Sequence, residues 1–377
     1  MFLSTADASG DMHAAGLVAA LRESLRERSQ SLEVFGLGGP ALEAEGFRTV
    51  VAQSDLAVAG LFEVLAEAPR MLGGYRKLRR ALTADTPDLA IFVDTPDLNL
   101  PLCRVAKASG VPVFYYVAPQ VWAWRMGRVN KLRRRVDHVG AIFPFEESLL
   151  REAGVPATFV GHPLVEPMGE LRARLNRAVV AADLSIDLDR PLFGLLPGSR
   201  RNEVTKNLPV MLETARLLRQ CVPRVQILLL LAPTLEGPSL EIPEFVRVVR
   251  GNTHQAIAIS TAVLAAPGTV TVEAALLGTP MLIAHRANAF SFEIARRISR
   301  VPSSCMVNLI ADRGIVSERL QEMARPAALA AEASRLLGDA AAREQMCKSL
   351  EDVTARLGGP GAARRAAALA LEVAGNS

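Results

Sequence analysis

Four cysteines, five histidines and three tyrosines in 377 residues leave little material for several kinds of chemistry. Cys103, Cys221, Cys305 and Cys347 stand far apart, with no CxxC pair. That spacing argues against a disulfide framework or a zinc ribbon and predicts reduced, buried thiols in a cytosolic protein. His13, His138, His162, His254 and His285 form no HExxH or HxH pattern, so no metal centre is expected. Long hydrophobic runs are missing too. The longest uncharged stretch, Gly251 to Val272, is interrupted by Asn, Thr, His, Gln, Ser, Pro and Gly, whereas a spanning helix needs roughly 20 predominantly apolar residues. The opening MFLSTADASGD has neither a basic region nor a long apolar core, so no secretory signal is expected. Net charge is only +4, from 43 Lys and Arg against 39 Asp and Glu, and no recognised binding motif is present; nucleic acid is therefore a poor candidate partner.

Half of the chain is hydrophobic and 22% is charged, which suits folded domains rather than disorder. At about 100–200 residues per domain, the length predicts two. Short apolar runs alternate with helical patterns. In the first half the runs are Met1–Ser4, Glu33–Leu37, Leu89–Asp94, Pro112–Val117, Val139–Phe143 and Thr158–Gly161; Leu17, Leu21 and Leu25 mark one intervening helix. Continuous apolar strands imply a parallel sheet covered on both faces. The Pro-punctuated GHPLVEPM, Gly161 to Met168, reads as an interdomain connection, followed by a polar, Arg-rich helix and a loop. The pattern restarts at Leu192–Leu196, Gln226–Leu231, Val246–Val249, Ala262–Ala265 and Pro280–Ala284, and the tail from Pro326 is Ala-rich and helical. The expected architecture is α/β, with two doubly wound domains and a helical C-terminal segment. In such folds, ligands bind beyond the carboxyl ends of the strands.

The motifs fall at those ends. Ser9-Gly10-Asp11 forms a strand-to-helix turn in which Asp11 can cap the helix, although small polar residues suit any such turn. GLGGP, Gly36 to Pro40, contains Gly38 and Gly39 but falls short of a full GxGxxG, and reads as a tight loop. The run LAIFVD delivers two acids, Asp94 and Asp97, which fit a general base, a metal ligand or a helix cap. In LLPGSRRNEV, backbone N–H groups, a helix N-terminus and Arg200 beside Ser199 make a diphosphate cradle, or else a surface turn with solvated arginines; no GK[ST] follows, which excludes a Walker loop. In APGTVTVEAALLGTP, Gly268 and Thr269 start a helix with Glu273 one turn inside, placed for a ribose or merely for the helix dipole. Two basic clusters, GGYRKLRRAL and RMGRVNKLRRR, adjoin apolar segments. In the second, Arg128, Lys131 and Arg135 share a face suited to anionic lipid, or to plain solvation.

Taken in order, these motifs resemble the lipid-A-disaccharide synthase family, inverting glycosyltransferases of the two-domain GT-B type. The resemblance runs from about residue 3 to 321. It rests on Ser9-Gly10-Asp11, Gly36–Pro40, Gly60–Leu65 (GLFEVL), Asp94–Asn99 (DTPDLN), Val121–Arg125 (VWAWR), Phe143–Glu146, Gly161–Pro163, Leu195–Arg200, Gly268–Glu273 and Asn308–Arg313. Three positions depart from the family pattern: Ala6-Asp7 replaces the usual glutamate-containing start, Val307 replaces a proline, and His285 stands where tyrosine is common.

The resemblance implies transfer of a sugar from UDP-2,3-diacylglucosamine to the C6 hydroxyl of 2,3-diacylglucosamine 1-phosphate, with release of UDP and no cofactor. It implies domains at 1–165, facing acceptor and membrane, and at 166–345, binding the nucleotide sugar across a cleft. Helices over 346–377 would have the option of packing back on the first domain. Asp97 would be the base and Asp94 its orienting neighbour. Ser199, Arg200, Gly268, Thr269, Glu273, Arg286 and Asn308 would bind the nucleotide sugar. Ser9, Gly10, Asp11, Gly38, Gly39, Trp124 and Arg125 would form loops near the acceptor. Leu61, Phe62, Val64, Leu65 and Leu72 would meet lipid at the cytoplasmic face of the inner membrane. Oligomeric state is open, a homodimer being one option. The rival classes are another GT-B enzyme, such as a UDP-sugar epimerase, and a non-catalytic nucleotide-sugar binder at a membrane.

Overall fold

A computed structural model of the chain describes residues 1–55, 61–119, 126–232, 241–287 and 303–375, and for 61–68 and 126 the backbone alone. The chain divides into two units, Met1–Pro163 with Leu357–Ser377, and Leu164–Arg356.

In the first unit, strands β1 (Phe2–Ser4), β2 (Phe35–Gly38), β3 (Arg48–Ala52), β4 (Ala90–Val93), β5 (Val113–Tyr116), β6 (His138–Ala141) and β7 (Ala157–Phe159) form a parallel sheet in the order 3-2-1-4-5-6-7. Helices α1 (Ala8–Glu27), α2 (Pro40–Ala44), α3 (Leu61–Ala84), α4 (Pro96–Ala108), α5 (Met126–Arg135) and α6 (Pro144–Glu152) connect them. Every residue of β1, β2, β4 and β5 is buried, which is why these strands read as unbroken apolar runs. Phe2 sets its ring against Phe35 at 5.8 Å and Phe92 at 5.9 Å, tying three neighbouring strands. Such pairs add about 0.5–1.5 kcal/mol beyond their buried area. Leu17, Leu21 and Leu25 form the buried stripe of α1.

The second unit repeats the plan. Strands β8 (Leu192–Leu196), β9 (Gln226–Leu231), β10 (Val246–Arg250), β11 (Ala262–Ala265), β12 (Met281–His285) and β13 (Glu318–Leu320) lie parallel in the order 10-9-8-11-12-13. Its helices are α7 (Val165–Arg174), α8 (Arg177–Asp183), α9 (Arg201–Cys221), α10 (Thr253–Ile259), α11 (Thr269–Leu276), α12 (Met306–Ala311), α13 (Pro326–Gly338) and α14 (Ala340–Arg356). Strands β3 and β13 have no counterpart among the apolar runs of the sequence. Both lie at sheet edges, and only one of their eight residues is buried, so they lack the signal of an interior strand.

The last helix, α15 (Ala362–Gly375), returns to the first unit and packs on α1. The return is stitched to the GHP segment. His162 N–H donates to Leu357 O at 2.8 Å, and Arg365 donates to Val160 O, Pro360 O and Gly359 O. Two glycines allow this approach. Gly161 has φ +89°, and a Cβ there would lie 2.6 Å from the Arg365 guanidinium; Gly358, at φ +83°, would bring one within 3.2 Å of Gly161 Cα.

In each sheet the strand order reverses once, between β1 and β4 in the first unit and between β8 and β11 in the second. Beyond the carboxyl ends of such a pair lies the crevice where open α/β sheets bind ligands.

Candidate active site

At the first reversal the chain from β4 enters α4 through two consecutive residues with positive φ, Asp94 (+44°) and Thr95 (+41°). Such a backbone costs of order 1–3 kcal/mol per non-glycine residue and persists only where its surroundings hold it. Asn99 does the holding. Its buried amide donates to Asp94 O, Val93 O and Ser4 O and accepts from Ser4 Oγ at 2.7 Å, so it ties the ends of β1 and β4 together. Tyr115 OH also donates to Asp94 O. Asn99→Ala would take a donor from three carbonyls, of which Asp94 O keeps Tyr115 OH, and the acceptor from the Ser4 hydroxyl. It is expected to destabilise the fold by about 2–4 kcal/mol, read as a lower urea midpoint at unchanged slope.

The consequence of this turn is the placement of Asp97. It stands in the first turn of α4, its side chain 81% exposed, and pairs with the Arg128 guanidinium from α5. The Thr95 side chain at the cap position makes no bond to the end of α4. Arg128 is itself only 19% exposed, and Arg135 donates to Leu100 O at 2.9 Å. Two members of the basic face expected to meet lipid, Arg128 and Arg135, are therefore turned onto α4, because α5 packs against it; Lys131 stays exposed.

The SGD turn differs from its expected role. Helix α1 begins at Ala8, and its cap is Asp7, which accepts from Gly10 N–H at 2.7 Å and from Thr95 Oγ1 at 3.3 Å. The departure at Ala6-Asp7 thus joins the β1 turn to the β4 turn. Asp11, already inside the helix and 3% exposed, accepts from Gly39 and Ala41 N–H at 2.8 Å and caps α2 instead. Gly38 and Gly39 lie in close packing here: a Cβ on Gly38 would meet Leu42 at 2.6 Å, and one on Gly39 would meet Asp11 Oδ2 at 2.8 Å. Ser9 Oγ lies 3.3 Å from His13 Nε2. Phe143–Glu146 is a helix start in which buried Glu146 accepts from Ile142 and Phe143 N–H. His162 packs against Phe143 at 5.2 Å, and burial pushes it down to about 3, so it stays neutral.

At the second reversal two turns of like sequence, Pro197-Gly198-Ser199 after β8 and Pro267-Gly268-Thr269 after β11, leave adjacent strands. Their helix ends differ. The N-terminus of α9 is occupied from within: Glu203 accepts from Ser199 N–H at 3.1 Å and Arg200 N–H at 3.3 Å, and its other oxygen lies 3.4 Å from the Arg200 guanidinium. The backbone donors expected to cradle a diphosphate are therefore held by a carboxylate. The signal was present as Glu three residues beyond the helix cap, the spacing of a capping box. The Arg200 side chain remains 80% exposed. The α11 end, by contrast, has no side-chain cap among the described residues, and Gly268 and Thr269 are exposed. Gly268 has φ +151° with open space where a Cβ would stand. Free N–H groups at such an end favour an anion. One helix turn on, Glu273 lies 3.3 Å from His254 Nε2.

Asn207, which sequence reasoning did not single out, donates to Pro197 O at 2.8 Å and accepts from Arg286 N–H at 2.8 Å, locking the β8 turn to the end of β12. The Arg286 guanidinium reaches Ala324 O at 3.3 Å, while among the described residues its buried Nε has no partner, nor has His285 Nδ1. Burial holds His285 below the usual imidazole range. Asn308 is fully engaged: it donates to Val316 O and Glu318 Oε1 and accepts from Ile315 and Val316 N–H, so its amide organises the loop before β13. Trp124 and Arg125 lie outside the described residues, and Leu61, Phe62, Val64 and Leu65 are described in backbone only, within α3. On the same helix Met71 and Leu72 are 37% and 48% exposed. Among the described residues no helix is long and apolar enough to cross a membrane, and no group of three or more His, Cys, Asp or Glu could hold a metal ion.

Among solved structures the chain is similar to the UDP-GlcNAc 2-epimerase of Neisseria meningitidis bound to UDP-GlcNAc, with TM-score 0.63 and 11% identity over 100% of this chain and 98% of that one. It is also similar to UGT89C1 of Arabidopsis thaliana complexed with quercetin, with TM-score 0.62 and 15% identity over 99% and 98%. At such identities the likeness is one of fold, and with two doubly wound units it defines the GT-B type. A family model for lipid-A-disaccharide synthetase matches residues 1–373. Proteins named lipid-A-disaccharide synthase from Trichlorobacter lovleyi and Solibacter usitatus are each 41% identical, over 97% and 99% of this chain and 95% and 96% of their own lengths. The chain belongs to the lipid-A-disaccharide synthase family.

Proposed function

We propose that the chain forms the β-1,6-linked lipid A disaccharide 1-phosphate from UDP-2,3-diacylglucosamine and 2,3-diacylglucosamine 1-phosphate. The C6 hydroxyl oxygen of the acceptor attacks the donor's anomeric carbon. The bond from that carbon to the UDP oxygen breaks, and its electron pair leaves with UDP. Asp97 takes the hydroxyl proton, and Asp94 orients it. Arg200, Ser199 and the open α11 end at Gly268 and Thr269 hold the diphosphate, Glu273 holds the ribose, and Arg286 lies nearby. Asn308 acts through the loop it organises. The observation that supports this reading most is the strained turn at Asp94-Thr95, clamped by Asn99 so that an exposed carboxylate stands at a topological switch point.

In the same reading the apolar start of α3, with exposed Leu72 and the exposed Arg76, Lys77, Arg79 and Arg80, rests on the cytoplasmic face of the inner membrane and admits the acyl chains. The deciding measurement is UDP release from the acylated donor with and without the acceptor. UDP is expected only when both are present, one per disaccharide. Release that ignores the acceptor, or turnover of soluble UDP-GlcNAc at a comparable rate, would point to an epimerase and against this reading.

A further inference from the structure

Glu273 is the residue to which the ribose has been given, and its carboxylate is only 16% exposed. A carboxylate withdrawn from water needs compensating donors. Among the described residues the recorded partner is His254, whose Nε2 lies 3.3 Å from Glu273 Oε2. His254 is the second residue of α10, and the chain turns into that helix through Gly251 (φ +76°) and Asn252 (φ +48°). The short helix is fixed at its other end. Arg177 donates to Ala258 O and Ile259 O at 3.0 Å, Thr279 Oγ1 donates to Ile257 O at 2.9 Å, and Ala256, Ile257 and Ile259 are buried. An imidazole on so constrained a helix makes a fixed donor. The bond to Glu273 raises the His254 pKa, and Nε2 can donate whether the ring is neutral, with its proton on that nitrogen, or charged.

We infer that His254 is a positioning residue for nucleotide recognition: it holds Oε2 of Glu273 so that the remaining lone pairs of the carboxylate face the vicinal hydroxyls of the donor's ribose. The inference rests on Glu273 binding the ribose. A carboxylate accepts at about four sites; His254 takes one, and a 2′,3′-diol takes two others. The role costs nothing in the chemistry at the anomeric carbon, so it belongs to binding. The sequence carried no signal for it, since His254 and Glu273 are separated by a strand and its flanking turns and meet only through the packing of α10 on α11.

The test compares UDP with 2′,3′-dideoxy-UDP on the full chain, by calorimetry, together with steady-state kinetics. His254→Ala is expected to weaken UDP about 5–10-fold and to raise the donor KM by a similar factor, with kcat within twofold. Dideoxy-UDP, lacking the hydroxyls, should bind wild type and variant alike. His254→Gln, which keeps an N–H donor, should recover most of the loss. Equal weakening of both nucleotides in His254→Ala would overturn the inference, because a merely structural role acts on both; so would unchanged UDP affinity. Glu273→Ala separates the two levels. If that variant still prefers UDP over dideoxy-UDP as wild type does, the ribose assignment itself fails, and the role of His254 with it. If it loses the preference while His254→Ala keeps it, only the positioning role fails.

Discussion

Asp97→Asn is expected to lower turnover at least about 100-fold while leaving UDP affinity within about twofold. Removing a general base from proton transfer in the transition state costs typically 10²–10⁴-fold. Asparagine keeps the shape, and Asp97 belongs to the first unit whereas the proposed nucleotide contacts belong to the second, so binding of UDP should not change. The structure adds a control. Arg128 forms an ion pair with Asp97, and it lies on a helix that buries Val129 and Leu132. The Asn variant should therefore fold, and an unchanged thermal midpoint would verify it. Full activity in Asp97→Asn, with folding intact, would remove the base from the mechanism and leave a nucleotide-sugar binder as the better reading.

Arg200→Ala is expected to weaken UDP about 10–100-fold, and Glu203→Gln to strengthen it about fivefold. The first figure follows from losing a charge-assisted bond of about 1.5–3 kcal/mol. The second follows from removing a negative charge a few ångströms from a bound diphosphate, worth about 1 kcal/mol in a solvated setting. Glutamine still serves the capping box, so α9 keeps its start. The opposite signs carry the argument. Glu203 holds the Ser199 and Arg200 N–H groups, so the diphosphate either displaces it or relies on the guanidinium and the open end of α11. In both cases the carboxylate opposes the phosphate. Weaker UDP binding in Glu203→Gln would show that Glu203 serves by orienting Arg200. Unchanged binding in Arg200→Ala would move the diphosphate away from this turn altogether.

The interior of both sheets was legible because strands buried on two faces are apolar at nearly every position, as in the runs Leu89–Asp94 and Leu192–Leu196. The edges were not. Arg48–Ala52 and Glu318–Leu320 expose much of their side-chain surface and carry the mixed composition of a loop. Which backbone donors are free was hidden as well. Small polar residues at a strand end announce a turn, but whether a neighbouring carboxylate fills that turn depends on its rotamer and on the packing around it. Asp11 illustrates the point: its sequence position suggested α1, and the fold hands its charge to α2.

Sequence alone determined the chemical inventory: two acids after one strand, Pro-Gly-Ser-Arg after another, and a glutamate one turn into a third helix, in an order belonging to one family. These signals are local, because turn chemistry and burial on both faces are set by residues a few places apart. Tertiary structure decided which members of that inventory are committed elsewhere. Asn99, Asn207 and Asn308 spend their amides on holding loops, Glu203 fills one helix end, and His254 reaches Glu273. Such assignments depend on distances between segments far apart in the chain, and those are fixed only when the sheets have assembled.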